Sequence, residues 1–188
     1  GAFYKNSNAY TPSFMRLSGT PLNEAVIAAM EIVPKFQKKN RLQIVNTVFL
    51  TDGEGSKIER VHSNNGYQTN LNPYTHMVIR DPKTNEEVVY HKDTMRRETI
   101  SQTDELLKLL KIRTNSHVIG FFVGSLGDVL SRYASFWRKE YEEIMAQPVE
   151  NQHMLSYDLR EKIKVKFRQD NSVIAQSSGF DDYYILRS

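Results

Sequence analysis

The 188-residue sequence contains no cysteine, and this one absence removes disulfides, thiolate zinc sites and cysteine nucleophiles together. It fits a reducing compartment without requiring one. Long hydrophobic runs are missing too. Nothing approaches the roughly 18 apolar residues of a membrane span. The opening GAFYKNSNAY has no basic stretch leading into an apolar core, so the chain is expected to be soluble, unsecreted and cytoplasmic. Charge of one sign is scarce as well: 25 Lys and Arg face 22 Asp and Glu, a formal net charge of +3. So small an excess does not by itself argue for nucleic acid, whose binding needs several phosphate contacts gathered on one surface.

Signatures of catalysis are equally scarce. His62, His76, His91, His117 and His153 are scattered, without HExxH or another zinc spacing. Ser18, Ser125 and Ser178 lie outside any nucleophile-elbow pattern. The stretch GSLGD at 124–128 lacks the Lys-Ser/Thr of a phosphate loop and reads as a turn with Asp128 as a helix N-cap. Asp104 and Glu105 suit the first turn of a helix, where carboxylates meet the positive end of the dipole. Hydrolase or chelatase chemistry therefore finds no nucleophile and no acid–base pair, and a binding protein is the expected class.

What the sequence does have is alternation of helical and strand patterns. An irregular lead-in, 1–16, precedes a single α/β domain over 17–188. TPLNEAVIAAMEIVPKFQKKN opens like a helix, with Thr20 as N-cap, Pro21 in the first helical position and Glu24 in the first turn. Leu22, Val26, Ala29 and Val33 form one apolar row, and Ala25, Ala28, Ile32 and Phe36 an adjoining row, so a broad buried face is expected. RLQIVNTVFLT follows as a strand with little alternation, which is what a strand covered on both faces requires. A long polar loop and a hairpin around Asp81-Pro82-Lys83-Thr84-Asn85 form an insertion over about 53–95. SQTDELLKLLKIRTN predicts a helix, HVIGFFVG a second buried strand, and residues 127–147 one longer helix stopped by Pro148. SVIA and DYYILR predict closing strands. The expected fold is a three-layer, mostly parallel, Rossmann-like α/β sheet with helices on both faces and an inserted β-hairpin.

In TVFLTDGEG, residues 47–55, an apolar run ends in Asp52. Ligands in open α/β sheets sit beyond the carboxyl ends of the strands. Asp52 occupies such an end, and Gly53 and Gly55 permit close backbone approach, so Asp52 is a candidate ligand for a hard cation. Asp-Gly is equally a common turn pair. Thr20, one helix earlier, falls at the same edge, and Glu54 is a candidate carboxylate behind these two.

GTPLNEA followed by VFLTDGEG resembles the second half of a von Willebrand factor A-type domain, and HVIGFFVG is similar to that family's next core strand. The resemblance implies a metal-ion-dependent adhesion site in which Thr20 and Asp52 are ligands of Mg2+, or of Mn2+ or Ca2+. The family's Asp-x-Ser-x-Ser motif does not precede Thr20, so either the N-terminal half of the domain lies outside this chain or the site has degenerated. The wording of 20–55, the long loop and hairpin, and the closing GFDDYYILR look most like CobT-like von Willebrand A proteins of tailed bacteriophages. That resemblance implies a protein partner supplying an Asp or Glu ligand, an AAA+ ATPase of MoxR or CobS type, in the host cytoplasm.

A second class rests on REKIKVKFR. Lys162, Lys164 and Lys166 alternate with Ile163, Val165 and Phe167, a strand-like pattern that would turn one basic face toward phosphates or an acidic partner. A nucleic-acid- or virion-associated phage protein is the corresponding alternative function.

Overall fold

The structure, a computed structural model, describes residues 20–52, 55, 58, 60–62, 68–70, 77–90, 102–176 and 179–188. The chain runs through α1 (Leu22–Asn40), β1 (Asn46–Thr51), β2 (Arg60–His62), β3 (Gln68–Asn70), β4 (Met77–Arg80), β5 (Glu87–Tyr90), α2 (Gln102–Thr114) and β6 (His117–Gly124). It continues with α3 (Leu126–Ser131), α4 (Tyr133–Phe136), α5 (Arg138–Met145), α6 (Val149–Asp170), β7 (Ser172–Ala175) and β8 (Asp182–Arg187). The lead-in expected at 1–16 lies outside the described residues.

The main sheet has the order β1-β6-β8-β7. β1 pairs parallel with β6 from Asn46↔His117 to Thr51↔Phe122, and β6 pairs parallel with β8, as the apolar strand patterns predict. β7 closes the sheet antiparallel to β8, so the fold is α/β with a mostly parallel open sheet. Two small antiparallel pairs, β2–β3 and β4–β5, stand apart from it, and β4–β5 is the expected hairpin.

Register shows how the sheet is covered. Side chains alternate between faces along a strand, so Phe49, Val118, Phe122, Val173, Tyr183 and Ile185 all point to one side. Both apolar cores lie there. One gathers α1, α2, Val88 of the hairpin and Val118, with Phe49 and Tyr183 packed against it. The other gathers Phe122, Val173 and Ile185 under Val129, Phe136, Ile163 and Phe167 of α3, α4 and α6. On the opposite side Val48, Leu50 and Ile174 are 55%, 71% and 61% exposed. Ile119, Phe121, Val123, Tyr184 and Leu186 are half-buried there. The expected third layer is not shown: among the described residues the helices cover one face of the sheet, and on the other Val48, Leu50 and Ile174 are exposed. Continuous apolar strands show that both faces are apolar, and carry no information about what covers them.

Two further expectations change, and a third is settled. The row Ala25, Ala28, Ile32 and Phe36 is exposed, with Ile32 at 63% and Phe36 at 51%, while Leu22, Asn23, Val26, Met30 and Val33 are the buried face of α1. The single helix over 127–147 is three short ones, because Arg132 and Trp137 leave helical geometry and Phe136 O accepts a 2.8 Å bond from Gln176 N beside β7. The basic tail, readable as helix or strand, is helix α6, with Ile163 and Phe167 one turn apart and inward.

At the amino end of β6, Asp181 ties three elements together. Its Oδ2 accepts from Val118 N at 2.8 Å, its Oδ1 pairs with Lys111 Nζ at 3.0 Å, and His117 Nδ1 lies 3.7 Å away. Burial pushes this carboxyl up, but the Val118 N–H and Lys111 together outweigh burial and hold it below its ordinary value. A carboxylate depressed on folding contributes stability in full above its unfolded pKa of about 4 and loses it as the pH falls through the lower folded value. Asp181→Asn is therefore expected to lower the urea midpoint at neutral pH, with the gap to the unsubstituted protein closing below about pH 4. A gap that stays constant across that range would contradict this linkage.

Candidate functional site at the carboxyl edge of the sheet

β1 ends at Thr51, buried on the core side, and the next residue in the alternation, Asp52, is exposed. Gly53 and Glu54 lie outside the described residues. The chain is described again at Gly55, which is packed tightly. A Cβ built on it would lie 2.7 Å from Thr103 Oγ1, 3.1 Å from Asn23 Oδ1 and 3.4 Å from Leu22 Cβ. Any larger residue there would push the loop off the helices, which is the physical requirement for glycine at this position.

Gly55 thus rests on the amino ends of α1 and α2, which a buried polar network joins. Asn23, 1% exposed, donates through Nδ2 to Gln102 Oε1 at 3.0 Å and accepts from Thr103 Oγ1 at 2.6 Å. Gln102 Oε1 also accepts from Ile58 N at 2.8 Å. A satisfied buried network of this kind fixes a unique arrangement, and here it joins both helix starts to the backbone at Ile58. Sequence reasoning missed Asn23, Gln102 and Thr103. The available signal was Asn23 itself, a weak helix former placed among apolar neighbours in the first turn.

Thr20 is half-buried immediately before α1, but it is not the N-cap. Pro21 holds that position without a side-chain bond, and Thr20 O accepts from Leu22 N at 2.8 Å. Gly55, three residues beyond Asp52, touches Leu22 and Asn23, which follow Thr20 within three residues. Gly55 and the start of α1 therefore adjoin.

At the carboxyl end of β6 the stretch GSLGD forms a capping box. Ser125, not Asp128, is the N-cap of α3: Asp128 N donates to Ser125 Oγ at 3.2 Å, and Asp128 Oδ2 accepts from Ser125 N at 2.9 Å and Ser125 Oγ at 2.6 Å. The Ser125 hydroxyl first, and its backbone N–H next, hold the Asp128 carboxyl below its ordinary value. This motif is a helix start.

The lysines expected on one basic face are separated. On α6, Lys162 and Lys166 are one turn apart while Lys164 lies on another side, where its Nζ is 2.8 Å from Glu161 Oε1. His117 stands at the opposite end of β6 from Asp52, its Nε2 2.7 Å from Asp182 Oδ2. Among the described residues no three His, Asp or Glu side chains gather as a metal-binding group, and no helix is long and apolar enough to cross a membrane. Set beside known proteins, the chain matches no family model, no curated protein and no solved structure.

Proposed function

We propose that this chain is a protein-interaction module of von Willebrand factor A type, in which Asp52 and Thr20 contribute to a divalent-cation contact with a partner's carboxylate. The observation that carries the reading is the exposed Asp52 at the carboxyl end of a parallel strand, with Gly55, three residues on, seated against the amino end of the helix that Thr20 precedes. One carboxylate and one hydroxyl are fewer oxygens than the roughly six that Mg2+ takes. They suit an open site completed by water and by a partner, and do not suit a closed structural site. A bound Mg2+, or Mn2+ or Ca2+, would supply a positive centre that a partner's Asp or Glu can ligate. In this reading Asp52 provides the anionic charge, Thr20 a neutral oxygen, Gly55 the close seating of the loop, and the Asn23–Gln102 network the rigidity beneath it. The partner class is an AAA+ ATPase of the MoxR or CobS kind, in a phage-infected cytoplasm.

Asp52→Ala is expected to abolish magnesium-dependent capture of such an ATPase while changing stability by no more than about 0.5 kcal/mol, since an exposed strand-end carboxylate touches no core. Pull-downs with and without chelator, beside urea unfolding, measure both effects. Capture that ignores chelator and survives Asp52→Ala would refute the metal role. The nucleic-acid alternative draws no support from α6, where Lys164 is paired with Glu161 and the three lysines do not share a face.

A further inference from the structure

We propose that the groove between the end of α5 and the first turns of α6 binds an extended segment of a partner protein that carries apolar side chains and a carboxylate. Val149, His153, Tyr157 and Arg160 recur at intervals of three or four along α6, so they share one face of the helix. With Tyr133 of α4 and Met145 of α5 they line a groove of about 460 Å3. That volume suits a few side chains and is far more than a single ion needs.

The walls of the groove are held in place. Gln152 Nε2 donates to Gln147 O at 2.8 Å and to Met145 O at 3.1 Å, which ties the start of α6 to the end of α5. The Tyr133 ring meets the Tyr141 ring edge-on at 5.6 Å, and the Arg160 guanidinium lies 5.4 Å from the Tyr133 ring centre. Arg160 is thus held by a ring and not by an acid: among the described residues no carboxylate pairs with it. A guanidinium placed in this way keeps its planar fork of donors for a carboxylate from another molecule, and loses little side-chain freedom when one arrives.

Charge and exposure narrow the occupant. No acid lines this groove, whereas the other side of the same helix pair carries Glu140, Glu143 and Asp158 against the single Lys162. An anion is drawn to the first side and repelled from the second. Val149 is 82% exposed, Tyr157 60% and Met145 38%, so the ligand must offer apolar surface as well as charge. Val149 and Arg160 are about 16 Å apart along the helix axis, a span that about five extended residues cover. The same exposure decides against a small molecule, whose sites bury most of its surface. A segment of a protein is not penalised there, because its outer side is covered by the protein that bears it.

The probes are the peptide acetyl-Leu-Phe-Ala-Leu-Glu-amide and its counterpart ending in Gln. Titrated into the isotope-labelled chain and followed by nuclear magnetic resonance, the Glu peptide is expected to shift amide signals between Met145 and Arg160 with a Kd of about 0.3 mM. The Gln peptide should bind about tenfold more weakly, the loss of a charge-assisted pair. Arg160→Gln should erase the difference between the two peptides, and Tyr157→Ala should weaken both. Lys166→Gln, outside the groove, and Asp52→Ala, at the sheet edge, should change neither affinity, which separates this contact from the metal contact proposed above. All four positions are exposed, and far-ultraviolet circular dichroism with thermal melts checks that each variant remains folded. Equal affinity for the two peptides, shifts centred elsewhere, no binding at about 5 mM peptide, or tighter binding of benzoate than of the Glu peptide would overturn the proposal.

Discussion

Replacing Asp81 by alanine is expected to lower stability by about 3–5 kcal/mol, the range for stranding one member of a buried ion pair. Ordinary turn substitutions stay within about 0.5 kcal/mol. The difference comes from where this turn sits. The Asp81 side chain is 1% exposed and lies 3.2 Å from Arg113 Nη1 at the end of α2. It also organises the hairpin turn, accepting from Lys83 N at 3.0 Å and from Thr84 Oγ1 at 3.0 Å. Asn85 follows in the left-handed region at φ 58 and completes the reversal. Arg113 is itself only 8% exposed, and its Nε is buried without a partner among the described residues. Removing Asp81 leaves that guanidinium to Glu31, whose side chain is 46% exposed and shared with Lys83. The loss should be measured by urea unfolding of Asp81→Ala, Arg113→Met and the double variant. Because Arg113→Met removes the stranded charge and keeps apolar volume, the double variant is expected to recover most of the loss. A single-variant loss under about 1 kcal/mol would place the pair with surface ion pairs instead.

This hairpin was legible in the sequence as a turn, since Asp81-Pro82-Lys83-Thr84-Asn85 has the right chemistry, but the contact between Asp81 and Arg113 spans 32 residues and leaves no local trace. The same division runs through the fold. β6 and β8 were readable because eight and six residues of β-rich sequence have few other uses, and their parallel pairing follows from the helices between them. The helix expected over 127–147 was not, since at its Trp137 break Phe136 O accepts from Gln176 N, forty residues away in the chain, a contact that leaves no local trace. KIKVKF left helix and strand open for another reason: Ile163 and Phe167 satisfy a helical interval and a strand alternation alike, and only the packing of α6 beside β7 decides between them. At the candidate site, Asp52 was legible as a strand-end acid. Thr20 as a helix cap was not correct, since Pro21 takes the boundary without a side-chain bond, and Asn23, the second residue of α1, bonds instead to Gln102 and Thr103 of α2.

Among the described residues the helices cover one face of the sheet, and this gives the sharpest test, because two adjacent phenylalanines in β6 face opposite ways. Phe122 is fully buried, with its ring 5.4 Å from that of Phe136 and the Arg132 guanidinium 5.5 Å above it. Phe122→Ala should cost about 3–5 kcal/mol, the lost transfer of an aromatic ring plus the cavity it leaves among groups that cannot collapse. Phe121, on the open face, is half-buried and stacks on Tyr184 with ring centres 5.2 Å apart. Its truncation removes one stacking contact and some apolar cover but opens no cavity, so a cost of no more than about 1.5 kcal/mol is expected. Chain propensity, strand and neighbours along the backbone are shared by the pair, which leaves the covering layer as the difference being measured. Urea unfolding of the two variants gives the comparison directly. Equal losses would mean that a further layer covers Val48, Leu50, Phe121 and Tyr184 in solution, and the sheet would then be the two-sided one its strands suggest.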